Sequence, residues 1–144
     1  MPADAPSKLM LLISRFLSRF FPKVGVLGLD ASGISRDPAV VADYLADPLV
    51  YKGKLSARLA AELFDTMADV RARATDITLP LLIVQGEHDS VTAPAGAQHL
   101  FDHAKSVDKG LTIYPGLFHE VLNEPEQAQV LSDVSRWITA RLPD

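Results

Sequence analysis

The sequence predicts an α/β fold with parallel strands and flanking helices, preceded by a helical segment. Three observations lead there. Two short apolar runs, residues 81–84 and 111–114, read as strands. A helical stretch, residues 94–103, separates them, and an amphipathic helix closes the chain. Strand, helix, strand, helix is the order of a doubly wound sheet.

Taken from the start, residues 1–7 are polar and hold two prolines, so they are expected to fray. Residues 8–21 place Leu9, Leu12, Ile13, Phe16, Phe20 and Phe21 at helical spacing, with Arg15 and Arg19 on the other side. Pro22 should end that helix. Residues 22–36 hold three glycines and show no period, which reads as loop. Asp37-Pro38 looks like an N-cap followed by proline at the first helical position, opening a short helix over 38–45. Asp47-Pro48 is the next break, and residues 54–73 regain helical spacing through Leu59, Leu63, Phe64, Met67 and Val70.

The character changes at Leu79-Pro80. Leu81-Leu82-Ile83-Val84 is the continuous apolar run of a strand buried on both faces. A helix starts at Pro94. Leu111-Thr112-Ile113-Tyr114 is the second strand, stopped by Pro115-Gly116. The last helix covers about 125–141, with Val130, Leu131, Val134, Trp137 and Ile138 on one face.

Composition narrows the function classes. The 144 residues suit one domain or a piece of one, and 48% apolar with 22% charged residues is a globular mixture. A net charge of −4 argues against nucleic acid as a partner, because phosphate binding needs a basic face. The absence of cysteine excludes a disulfide framework and a thiolate metal site, and permits a cytoplasmic location. No apolar run reaches the roughly 18 residues of a membrane span. The segment at 9–13 is short and interrupted by arginines, with no small-residue cleavage pattern behind it, so it reads as mature protein and not as a signal peptide.

In an open parallel sheet, sites form beyond the carboxyl ends of the strands. The first strand runs into Gln85-Gly86-Glu87-His88-Asp89, the second into Pro115-Gly116-Leu117-Phe118-His119. One crossover separates them, so both loops open on the same sheet edge. A carboxylate there can hold an imidazole in one tautomer and stabilise its protonated form.

The segments LPLLIVQGEHDSVTAP and LTIYPGLFHEVLNEPE are similar to the closing part of the α/β-hydrolase superfamily. Their wording most resembles the monoacylglycerol lipase-like serine hydrolases, and ISRDPAVVADYLADPLVYKGKL resembles that family's passage from cap to core. The resemblance runs over nearly the whole chain. It implies the C-terminal part of the α/β-hydrolase fold, with residues 1–53 as a helical cap or lid segment and 54–144 as the C-terminal part of the core. It also implies a catalytic aspartate at Asp89, a catalytic histidine at His119, no cofactor and no metal. The implied substrate is a small lipid ester, a monoacylglycerol or lysophospholipid.

The chain departs from the family at the nucleophile. Gly-x-Ser-x-Gly, the elbow motif of these enzymes, is absent. The nearest serine is Ser32, in Leu29-Asp30-Ala31-Ser32-Gly33, without the first glycine and without an expected preceding strand. The expectation is therefore a truncated chain whose serine and oxyanion loop lie upstream of Met1. The competing expectations are an inactive pseudoenzyme, a subunit that complements a serine-bearing half, or a lipid-binding module built on the cap.

Other candidates have plainer readings. Ser90 is a loop hydroxyl, Glu120 a solvated loop charge, and His88 a loop residue beside the acid. Glu124 and Glu126 read as acids at the N-terminus of the last helix. His99 and His103 share a helix face at i, i+4, but no acidic motif completes a zinc site. The wide apolar arc between Leu9 and Phe21 reads either as core packing or as a lid helix in peripheral contact with a membrane.

Overall fold

The computed structural model describes residues 8–142, with the backbone alone for residues 8–11 and 14. Residues 1–7, expected to fray, lie outside the described residues, as do the side chains of Leu9, Met10 and Leu11. Helix α1 covers Lys8–Phe20 and stops two residues before Pro22, its last turn closed by Phe21 N–H donating to the Leu17 carbonyl.

The reading of 22–36 as loop is corrected. Strand β1, Gly25–Leu27, lies there, followed by a 3-10 turn at Ala31–Gly33. Strand β2, Leu55–Ser56, pairs antiparallel with β1, Gly25 opposite Ser56 and Leu27 opposite Leu55. Strands this short have no readable alternation, and the pairing joins residues far apart in sequence. Helix α2, Pro38–Ala46, begins as expected, with Asp37 accepting from Ala39 N–H. Helix α3, Ala57–Ala72, starts later than the apolar spacing suggested, because Leu55 belongs to β2 and Ser56 caps the helix by accepting from Leu59 N–H. Its buried residues, Ala57, Ala60 and Ala61, are small enough for close helix approach, and α1 packs along it.

Strands β3, Leu81–Gly86, and β4, Lys109–Tyr114, pair in parallel, in register from Leu81 opposite Lys109 to Gly86 opposite Tyr114. Both exceed the apolar runs. The ladder uses main-chain groups, so Gln85, Gly86, Lys109 and Gly110 extend it without apolar side chains. Helix α4, Pro94–His103, is the crossover and touches both strands. Lys109 Nζ holds the end of that helix by donating to the carbonyls of Phe101 and Ala104.

Helix α5, Gln127–Thr139, is shorter at both ends than expected. The buried cluster Tyr114, Leu117, Val121 and Val130, with Val84 and Val134 against it, glues α5 to the sheet. Tyr114 Oη donates to Asp133 at 3.1 Å and adds a polar pin in the same place. Among the described residues, no helix is long and apolar enough to cross a membrane.

Candidate active site

Asp89 stands three residues beyond the end of β3, in a turn made by its own side chain. Its Oδ1 accepts from Val91 N–H and Thr92 N–H, each at 2.8 Å. Its Oδ2 accepts from Thr92 Oγ1 at 2.7 Å and from Gln85 Nε2. The remaining donor is His119, whose Nδ1 lies 2.8 Å from Oδ2. The carboxylate side chain is 1% exposed. Burial pushes its pKa up, but the hydrogen bond from His119, then those from Thr92 and Val91, outweigh burial and hold it below the ordinary aspartate value. The carboxylate is therefore the stable form.

His119 follows β4 through a tight turn in which Gly116 adopts φ +73°, the left-handed conformation that glycine takes without strain. Every amide from 116 to 120 then has an acceptor. Gly116 N–H donates to Glu87 Oε2, Leu117 N–H to the Tyr114 carbonyl and Phe118 N–H to Glu124 Oε1. His119 N–H and Glu120 N–H donate to the carbonyls of Gly33 and Ile34. The loop also passes directly over Gly86, where a Cβ would overlap the Phe118 carbonyl oxygen. A carboxylate accepts and cannot donate, so Nδ1 of His119 carries the proton in that contact. The ring is about one-third exposed (35%), and no described residue hydrogen-bonds its Nε2.

Asp89 and His119, singled out from the sequence, are thus brought together from two successive strand ends. The other candidates are not. Ser32 Oγ donates to Asp30 at 2.8 Å. Ser90 is exposed and lies over Gly33, whose Cβ position would be 2.5 Å from its Oγ. No hydrogen bond joins either serine to His119. The absence of a strand before Ser32 is corrected, since β1 ends five residues earlier, but β1 belongs to the small antiparallel pair. His88 is exposed, with its ring 3.8 Å from Glu87. His99 and His103 stack with ring centroids 4.0 Å apart, and His103 Nδ1 donates to the His99 carbonyl. Glu120 accepts from Asn123 Nδ2.

Glu124 is a correction. Read as an acid at the N-terminus of the last helix, it instead precedes α5 by three residues and is a fully buried carboxylate, its side chain 0% exposed. Its Oε1 accepts from Phe118 N–H and Arg36 N–H, and its Oε2 from Arg36 Nε at 2.9 Å. Arg36 reaches Glu126 as well. The hydrogen bond to Glu124 raises the guanidinium pKa, so this cation is permanent. Sequence reasoning missed Gln85, Thr92, Arg36 and Glu124 as members of the site. The Asp-x-x-Thr spacing is a recognisable side-chain turn and carried a signal for Thr92. The Arg36–Glu124 pair carried none, because its partners are 88 residues apart.

Residues 1–126 match the serine aminopeptidase S33 family of hydrolases. The chain is 44% identical over 139 residues to the monoacylglycerol lipase of Mycolicibacterium smegmatis, which covers 96% of this chain and 50% of that protein. It is 31% identical over 141 residues to the mouse monoglyceride lipase, covering 96% of this chain and 46% of that one. The crystal structure of the Paleococcus ferrophilus monoacylglycerol lipase superposes with a TM-score of 0.87 at 27% identity, over 97% of this chain and 55% of that one. The chain spans about half the length of the curated relatives it matches.

Proposed function

The chain belongs to the serine aminopeptidase S33 family of α/β-hydrolases, and from that premise we propose that Asp89 and His119 are the acid and base of a carboxylic-ester hydrolase acting on monoacylglycerols. The observation that carries the reading is the 2.8 Å contact of His119 Nδ1 with buried Asp89, with Nε2 left open. With Nδ1 protonated and held by Asp89, Nε2 of the neutral ring has a free lone pair. It takes the proton of a serine hydroxyl as that oxygen attacks the ester carbonyl, and Asp89 stabilises the imidazolium. The ring then protonates the departing glycerol oxygen. Water hydrolyses the acyl-enzyme with the same histidine as base.

Residues 1–144 hold no Gly-x-Ser-x-Gly, so the reading requires a nucleophile and oxyanion donors from outside them. The lipid substrate is supported by the names of the relatives.

A hybrid protein tests this. The segment of the M. smegmatis lipase that matches this chain is replaced by residues 1–144, and monoacylglycerol hydrolysis is measured. Turnover is expected, and His119→Ala or Asp89→Ala in the hybrid lowers kcat by about 10³-fold or more. Near-normal turnover in either variant removes that residue from the mechanism. A folded hybrid without turnover removes the substrate assignment.

A second reading concerns α1. Leu12, Ile13, Phe16 and Phe20 are about half or more exposed on one helix, with Arg15 and Arg19 beside them. This favours peripheral contact with a lipid surface. Cosedimentation of the chain with anionic vesicles is expected, and Phe16→Ser with Phe20→Ser abolishes it. Equal binding by that double variant, or no binding by the unmodified chain, defeats the reading.

A further inference from the structure

Among the described residues, two carboxylates are buried, Asp89 and Glu124. The proposed chemistry uses the first and leaves the second unexplained. A buried carboxylate is costly unless fully partnered, and the partners of Glu124 are informative. They are the amide of Phe118, adjacent to His119, and the amide and Nε of Arg36, three residues beyond Gly33, which accepts from His119 N–H. Ser35 Oγ adds a bond to the Asn123 carbonyl at 3.0 Å. The carboxylate therefore sits between the two backbone segments whose separation sets where His119 projects.

We propose that Glu124, clamped by Arg36, is a positioning residue: it fixes the loop so that the His119 ring meets Asp89 through Nδ1 and keeps Nε2 outward. This rests on His119 being the base, but its geometry can be read without any turnover. Glu124→Gln discriminates well. The amide oxygen of glutamine can still accept from both backbone amides, whereas its NH2 group faces the Arg36 Nε–H, donor against donor. The clamp opens while volume is conserved.

The experiment uses the full chain with isotope-labelled histidine, at a pH where the ring is neutral and a temperature where circular dichroism shows native structure. His119→Gln identifies the His119 signals. The unmodified chain is expected to hold His119 as the Nδ1–H tautomer. In Glu124→Gln the tautomer ratio shifts about five-fold towards Nε2–H, the change expected when an ordinary hydrogen bond is lost. Adding Arg36→Met to Glu124→Gln leaves the clamp open, and the ratio is expected to stay shifted by a similar factor. A purely structural role would lower thermal stability without moving the ratio in the folded chain, and that result overturns the proposal. So does return of the Nδ1–H form in that double variant, which has no clamp. If Glu124→Gln does not fold, Arg36→Met alone is read: it leaves Oε2 without a partner and shifts the ratio in the same direction, and an unchanged ratio again overturns it. Because no ester is involved, failure here leaves the hydrolase reading standing. An inactive hybrid protein leaves the clamp standing.

Discussion

Asp89 anchors its own turn and is also the acid of the proposed site. Its folded pKa is depressed, so its contribution to stability is present above the unfolded value, near 3.9, and lost as pH falls through the lower folded value. Asp89→Asn is therefore expected to lose stability at pH 7, and the gap to the unmodified chain should narrow below about pH 4. Urea unfolding at the two pH values measures it; a gap of constant size refutes the assignment. Tyr114 has the opposite sign. Burial first, then the hydrogen bond to Asp133 and its charge, push the phenol up to about 12. A raised folded pKa stabilises fully below the unfolded value of about 10 and is lost as pH rises through the folded one. Unfolding of the unmodified chain should thus steepen between about pH 10 and 12, and Tyr114→Phe should remove that excess slope.

At the scale of elements, the site depends on how closely the His119 loop lies on β3. Gly86→Ala is expected to destabilise the chain by about 2 kcal/mol or more and to break the Asp89–His119 bond, because a Cβ there collides with backbone and not with a flexible side chain. Val130→Ala, in contrast, empties a fully buried position in the cluster joining α5 to β4. It should cost about 2 kcal/mol in thermal or urea unfolding and leave the His119 tautomer unchanged. The elements that were legible were those with a period or a punctuation mark: α1 before Pro22, α2 after Asp37-Pro38, and the β3–α4–β4 unit with the loops that carry Asp89 and His119. The illegible ones depend on distant partners. Leu55 and Ser56 join β2 only because Gly25–Leu27 pairs with them. Glu124 turns inward only because Arg36 and the Phe118 amide are there to receive it. A charged residue before Pro125 otherwise reads as an acid at a helix N-terminus, and no local pattern says differently.

For the molecule as a whole, the seats of Asp89 and His119 are assembled on different contact ranges. The Asp89 turn is built from residues 85–92 and can form as soon as that segment exists. The seat of His119 needs residues 33–36 to return to residues 118–124, with Arg36 and Glu124 88 positions apart in sequence. Closing so long a loop is slow relative to a local turn. Arg36→Met is accordingly expected to speed unfolding while leaving the folding rate nearly unchanged, as for contacts formed after the transition state; a chevron in which the folding limb drops instead would place the clamp early. The row of occupied amides from Gly116 to Glu120 then has a kinetic meaning. A chain still folding carries a ready carboxylate but an unaimed imidazole. The Asp89–His119 contact thus arrives as a threshold at the end of folding, and a half-assembled chain holds no half-formed pair.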